Sequence, residues 1–442
     1  MIPPVAAVEE ISSIGLSDER HLVRRPLVRG WTISRREQQM QAIVGTGAGL
    51  SKARLDRMHD IMARHVENGS MPGMVTLVSR HGEVQVDAVG AMASGGAAMQ
   101  RDTIFRIASM TKPVAAVAAM ILVEECRLRL DDPVDKFLPE LANRRVLRGI
   151  ESEIDDTVPA KRAITLRDLL TFRLGYGAIM VFPDRYPIQK AITEAGIAPG
   201  PVLPSFPPDE LMRRYGGLPL IHQPGERWLY NAGSEILGVL IARAAGTTLG
   251  EFLRERIFDP LGMKDTAFHV PRSKLDRLAT SYVRDRETQQ LKVFDDPVTG
   301  KFTTPPVFEN ASGGLVSTAE DFNAFAQLML NGGRLGSTRI LSRPAVELMT
   351  TDQLAPEQKL GSEPFFNDNR GWGFGLSVFN RRDHLQSVPG RFGWDGGYGT
   401  SWYSDPKEQL TGILLTQRLM ESPEPPPVMA DFWVAAYQAI DD

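Results

Sequence analysis

The chain has 442 residues, 50 basic and 54 acidic, giving a net charge of −4, and 42% of it is apolar. That length is long for one core and suits two lobes, and the apolar share excludes a disordered chain. The near balance of charge favours neither nucleic acid nor an anionic membrane surface as a partner. The single cysteine, Cys126, excludes an internal disulfide or a cysteine-built zinc cluster and suits a reducing, cytoplasmic setting.

Residues 1–50 lack the positive end, apolar block and small-residue cleavage site of an export signal, and read as an N-terminal extension. No apolar run reaches the length of a membrane span. Over residues 51–68 the helical spacing of Leu55, Met58, Ile61, Met62 and Val66 predicts a helix. "GMVTLVSRHGEVQVDAVG" reads as two strands turning at His81-Gly82, and "IFRIAS" leads into the Ala-rich helix "MTKPVAAVAAMILVEE". From residue 131 the chain breaks into short amphipathic pieces, and the Pro- and Gly-rich stretch over 178–226 suits long ordered loops.

Helices follow at "SEILGVLIARAAG" and "TLGEFLRERIFDPLG", the second closed by Pro260 and Gly262. "GGLVSTAEDFNAFAQLMLNGG" predicts a short strand and a helix. "WGFGLSVFN", "RFGWDGGYGTSWYSDP" and "QLTGILLTQR" read as successive antiparallel strands, and "VMADFWVAAYQAI" as a closing helix. The expectation is an α/β (α+β) architecture. Residues 51–130 and 276–442 form an antiparallel sheet flanked by helices, residues 131–275 form a mostly helical lobe, and the cleft between them is a natural place for a site.

Ser109 and Lys112 stand three apart in "IASMTKP". On a helix, i and i+3 share a face with Cβ atoms about 5–6 Å apart. Pro113 forces the helix to begin close to Ser109, because a proline deeper inside would clash with the preceding turn. The hydroxyl then lies near free backbone N–H groups. Serine is a poor nucleophile until a base takes its proton, and a neutral lysine can do so. Burial and a helix N-terminus both disfavour the ammonium form. The rival reading of the spacing alone is an N-cap serine beside a surface lysine.

The phrase "IFRIASMTKPVAAVAAMILVEECRLRLDDPVDKFLPEL" resembles the active-serine region of penicillin-recognising serine hydrolases, the superfamily of class C β-lactamases, D-alanyl-D-alanine carboxypeptidases and family VIII esterases. The resemblance continues in order through "ITLRDLLTFRLGYG", "HQPGERWLYNAGSEILGVLIARAAG", "FLRERIFDPLGMKDTAFHVP" and "ASGGLVSTAEDFNAFAQLMLNGG" to "FGWDGGYGTSWYSDP". It implies a β-lactamase/transpeptidase-like fold, with Ser109 as nucleophile and Lys112 beside it. Tyr230 is the family tyrosine that shares general-base work and reprotonates the leaving group. The resemblance further implies an oxyanion hole from the backbone N–H groups of Ser109 and Gly397. The asparagine that β-lactamases often carry two places after the tyrosine is replaced by Ala232, with Asn231 one place early.

Where many β-lactamases have Lys-Thr-Gly, this chain has Trp394-Asp395-Gly396, similar to the Trp-Gly-Gly of family VIII esterases apart from Asp395. Loss of the cation and gain of a carboxylate favour a neutral substrate. Trp394, Asp395 and Gly396 are therefore candidate substrate-binding residues. So is Tyr176, although Arg173-Leu174-Gly175 departs from the family's His-x-Ser-Gly nearby.

The implied activity is that of a carboxylesterase acting on a small-molecule ester through an acyl-serine, with no cofactor and no metal; the seven histidines show no HExxH spacing. Alternatives on the same machinery are a β-lactamase or D-Ala-D-Ala-type peptidase or amidase, and an acyltransferase; a non-catalytic scaffold is the alternative of another class. No GxSxG elbow occurs, and His222, His269 and His384 read as surface or core residues rather than triad members.

Overall fold

The structure, a computed structural model, describes residues 48–181 and 183–442. Most of the extension read over residues 1–50 lies outside the described residues. Helix α1 (Lys52–Glu67) buries Met58 and Met62. Strands β1 (Gly73–Arg80) and β2 (Glu83–Gly90) are joined by His81 and Gly82, with φ of 48° and 86°, the left-handed pair that a tight hairpin turn requires. Helix α2 (Thr111–Glu124) is entered through a 3-10 turn over Ala108–Met110. Pro113 falls in its first turn, where the missing N–H has no helical acceptor to lose.

Helix α3 (Ala232–Ala245) and helix α4 (Ala319–Leu330) follow. Strands β3 (Arg370–Trp372), β4 (Ser377–Phe379), β5 (Phe392–Gly396), β6 (Thr400–Asp405) and β7 (Leu410–Thr416) come next, and helix α5 (Pro427–Gln438) closes the chain.

The seven strands form one antiparallel sheet in the order β3-β4-β5-β6-β7-β1-β2. β1 pairs with both β2 and β7, Leu77 opposite Ile413, so the N-terminal hairpin completes a sheet begun at the other end of the chain. Successive strand residues point to opposite faces. Val75 and Leu77 of β1 therefore join Trp402, Ile413 and Leu415 in one core with α2, α3 and α4. Met74 and Val78 join Phe432 and Trp433 of α5 and Met58 and Met62 of α1 in another. Covered on both faces, all eight residues of β1 are buried. Helix α2 is buried all round from Thr111 to Leu122, and its alanines let neighbours close on it.

No strand from residues 131–275 joins this sheet. Two readings of that region need correction. The 178–226 stretch carries helices over Pro187–Glu194 and Pro208–Gly217. Each opens on a proline at its first position, where the ring pre-sets φ. Each buries an apolar stripe, Ile188 and Ile192 in one, Leu211, Met212 and Tyr215 in the other. Prolines that suggested loops were helix starts.

Pro260, in turn, lies inside a helical turn over Asp259–Leu261 instead of closing the helix. The preceding Arg254–Phe258 widens to π-type bonding, which relieves the clash a proline makes with the turn before it. Gly262, at φ 72°, ends the helix. A hairpin over Ser281–Arg284 and Leu291–Asp295 had no counterpart in the sequence reading. Among the described residues no single helix is long and apolar enough to cross a membrane.

Trp402 joins sheet to helix, its ring centroid 5.4 Å from Phe322 and 5.7 Å from Phe325 of α4. Trp402→Ala is expected to lower unfolding free energy by about 3–5 kcal/mol in urea titrations followed by circular dichroism. A loss under about 1 kcal/mol would show that this seam is not a principal source of stability.

Candidate active site

The 3-10 entry to α2 brings the two predicted groups together. Lys112 Nζ lies 2.8 Å from Ser109 Oγ. Ser109 is half-buried, while Lys112 is 0% exposed. The preceding residue, Ala108, holds φ at 44°, a conformation that costs a non-glycine residue about 1–3 kcal/mol. Two more left-handed non-glycine residues, Phe172 (φ 57°) and Asn231 (φ 84°), lie in the same neighbourhood. Three of the ten such non-glycine residues among the described residues thus lie where the hydroxyl, the amine and the phenol meet.

Lys112 Nζ has two further partners, the backbone oxygen of Ser312 at 2.6 Å and Asn231 Oδ1 at 3.1 Å. Removal of water lowers the amine from its ordinary 10.5 to about 7, against the pull of the Glu235 carboxylate. At neutral pH a large share of Lys112 is consequently unprotonated.

Tyr230 packs its ring against this amine, with Nζ 4.5 Å from the ring centroid. The Trp394 indole donates to Tyr230 Oη at 2.8 Å. Burial pushes the phenol above its ordinary range, and hydrogen bonds to Ser109 and Trp394 only partly offset this. The amine meets the ring face, so the phenol stays protonated and the lysine is the group poised as base. Trp372 stands edge-on to Trp394 at 4.6 Å, and Phe365 stacks on Tyr230 at 4.9 Å, fixing both polar tips in an aromatic wall.

The oxyanion candidates are two backbone amides. Ser109 is the second residue of its 3-10 turn, so its N–H has no acceptor within that turn. Gly397 lies just beyond β5 with open space where a Cβ would project. The turn holding it is tied to the segment that carries Ser109, because Thr400 Oγ1 donates to the Ile107 carbonyl at 3.1 Å. Gly396 presses against the same carbonyl, where any Cβ would clash. Gly396 thus acts by close approach of two backbones.

Two substrate-binding expectations require correction. Asp395 alternates with Trp394 along β5 and faces the other side of the sheet. Its carboxylate accepts from Ser401 Oγ at 2.5 Å and from Tyr403 Oη at 2.9 Å, under α5. Only its long-range charge reaches Tyr230, so it does not line the cleft. Tyr176 is fully buried and packs edge-on to Tyr215 at 5.2 Å, behind the site rather than at its surface. Trp394 is itself buried, 5% exposed, and its indole serves Tyr230.

Asn231 takes a place the sequence left unassigned. Its positive φ swings the amide back toward Lys112, and its Nδ2 donates to Glu235 Oε1 at 2.9 Å. Glu235 is buried and also accepts from Ser312 Oγ, Asn310 Nδ2 and Tyr215 Oη. A signal for this pair existed: Asn231 and Glu235 are four apart at the start of an otherwise apolar helix, hence on one face. Among the described residues no histidine is a hydrogen-bond partner of Ser109.

A family model described as Beta-lactamase matches residues 58–432. Protein Rv1367c of Mycobacterium tuberculosis is 40% identical over 363 residues, spanning 79% of this chain and 86% of that protein. Esterase EstB of Burkholderia gladioli is 29% identical over 399 residues, 86% of this chain and 93% of that one. The solved structure of EstCE1, a hydrolase with promiscuous acyltransferase activity, superposes with a TM-score of 0.72 at 23% identity, covering 87% of this chain and 99% of that one. The fold is accordingly the β-lactamase/transpeptidase-like one, and the chain belongs to the Beta-lactamase family.

Proposed function

We propose that this protein is a carboxylesterase that hydrolyses small, neutral esters through an acyl-serine at Ser109. The observation that carries this reading is the fully buried Lys112 amine 2.8 Å from the Ser109 hydroxyl. In the reaction Ser109 Oγ bonds to the carbonyl carbon as its proton passes to the neutral Lys112. Negative charge develops on the carbonyl oxygen, and the Ser109 and Gly397 amides receive it.

When the tetrahedral species collapses, the C–O bond to the alcohol breaks and Tyr230 donates a proton to the leaving oxygen. The Lys112 ammonium then returns a proton to the Tyr230 phenolate through a water that enters as the alcohol departs, since the acylated Ser109 Oγ has no hydrogen to pass on. Water then attacks the acyl-serine, loses its proton to the same groups and releases the acid.

The preference for an ester over a β-lactam rests on Trp394, which stands where a lysine attracts the substrate carboxylate in many β-lactamases. Similarity to a protein named as an esterase supports it. In this reading the site lies between a sheet lobe (51–130 with 276–442) and a helical lobe (131–275), and the enzyme is cytoplasmic.

Ser109→Ala is expected to abolish turnover of p-nitrophenyl butyrate and labelling by a fluorophosphonate; wild-type turnover in that variant would reject the reading. The acid limb of kcat/KM against pH should centre near 7, where Lys112 loses its proton.

Stability provides a separate readout. Lys112 holds its proton more weakly folded (about 7) than unfolded (10.5), so between those values the unfolded chain binds more protons. The stability contributed by this residue is therefore lowest below pH 7 and rises toward pH 10.5. Lys112→Met should be inactive, and its stability relative to the parent should be most favourable below pH 7 and fall as the pH rises toward 10.5, as thermal melts across the range would show. A difference that does not change with pH would mean that the amine is not held against a desolvation penalty.

A further inference from the structure

The shell around Lys112 contains a device that the reaction sequence above does not use. A neutral lysine has two N–H donors and one lone pair, whereas an ammonium has three donors. Lys112 Nζ has three partners: the Ser312 carbonyl at 2.6 Å, Asn231 Oδ1 at 3.1 Å and Ser109 Oγ at 2.8 Å. The first is an acceptor only. The second is an acceptor only while the Asn231 amide keeps its oxygen toward the lysine; turned over, its NH2 would attract the lone pair away from Ser109. With both oxygens in place the two hydrogens are committed to them, and the lone pair has one direction left, toward the serine hydroxyl.

Glu235 sets both oxygens. Its Oε1 accepts from Asn231 Nδ2 at 2.9 Å and is the acceptor for two further donors, so the amide nitrogen faces it and the amide oxygen faces Lys112. The same Oε1 accepts from Ser312 Oγ at 3.2 Å and from Asn310 Nδ2 at 3.3 Å, while Asn310 Oδ1 accepts from the Ser312 N–H at 2.7 Å. These bonds hold the peptide whose carbonyl is the lysine's other acceptor. Oε2 is occupied by Tyr215 Oη at 2.5 Å. All of these groups are buried.

We propose that Glu235 is a positioning residue: it locks the Asn231 amide and the Ser312 carbonyl so that the lone pair of Lys112 can point only at Ser109. The proposal rests on the ester-hydrolase reading of Ser109 and Lys112.

The groups that face this amine are few. Tyr230, Asn231 and Glu235 come from α3 and the segment before it, and Asn310 and Ser312 from the loop ahead of Val316–Ser317. Tyr215 stands behind Glu235 from the Pro208–Gly217 helix, and Tyr176, with Arg144 near it, lies in the next layer. Asp395 acts on Tyr230 from β5 at longer range. Among the described residues Glu235 is the one carboxylate that raises the Lys112 pKa.

The test measures kcat and the pH dependence of kcat/KM on p-nitrophenyl butyrate for the full chain and four variants. Glu235→Gln can donate as well as accept and frees the amide to turn. It should lower kcat by about 10- to 100-fold and move the acid limb to lower pH, since the charge that favours the ammonium is gone. Glu235→Gln with Asn231→Asp exchanges donor and acceptor across the pair, returns an oxygen to Lys112 and should regain most of the lost kcat. A merely structural role would predict a second loss instead. Asn231→Gly suits the positive φ and removes the amide, so it keeps the test alive should Glu235→Gln fail to fold; it should lose kcat to a similar extent.

Wild-type kcat with an unmoved acid limb in Glu235→Gln, wild-type kcat in Asn231→Gly, or no recovery in the exchanged pair would each overturn the proposal. Ser109→Ala separates the two levels. If it retains turnover, the esterase reading falls and this inference with it. If it is inactive while Glu235→Gln matches wild type, only the role of Glu235 is lost.

Discussion

An amine taken out of water must either find three acceptors or give up its proton, and Lys112 is held at the point where both outcomes are close in free energy. Its desolvation owes much to α2, which is buried on every side from Thr111 to Leu122. Its acceptors come from a serine one turn back, a carbonyl 200 residues later and an amide at the head of α3. Helix, loop and second helix must all close for this one nitrogen to be both dry and satisfied. The strained φ values at Ala108 and Asn231 belong to the same constraint, because a relaxed backbone at either position would aim the side chains elsewhere.

The sheet contributes through its pleat. Along β5 the alternation of side chains sends Trp394 to the phenol of Tyr230 and Asp395 to hydroxyls beneath α5. One strand thereby presents an indole donor to the site and confines a carboxylate to the opposite face, so the cleft gains no anion from a sequence that contains one. The aromatic layer of Trp228, Trp372 and Phe365 behind it limits the motion of both Tyr230 and Trp394, an arrangement that supports proton transfer over short, fixed distances.

Burial also divides the labour between the two titratable groups. It lowers the lysine into the neutral range and raises the phenol out of it, since desolvation penalises an ammonium and a phenolate alike. One environment thus shifts in opposite directions two residues that would both be protonated at neutral pH in water.

The helices and strands with unbroken period were legible in the sequence, because hydrophobic spacing reports a buried face directly: α1, the β1–β2 hairpin, α4 and β7 lie where that spacing puts them, whereas "WGFGLSVFN", read as one strand, holds the turn between β3 and β4. Ser109 beside Lys112 was legible for a local reason, being three residues apart on one helical turn. The helices over Pro187–Glu194 and Pro208–Gly217 were hidden, since a proline marks a loop or a helix start with equal force until something packs against the stripe that follows. What only the tertiary structure decided is everything that depends on residues far apart in the chain. It decided that Asp395 turns away, that Tyr176 lies behind the site, that Trp394 serves the tyrosine, and that Glu235 and Ser312 close the shell around the amine. Local spacing fixes which face of its own element a side chain takes; which partner waits there is set by how the elements pack.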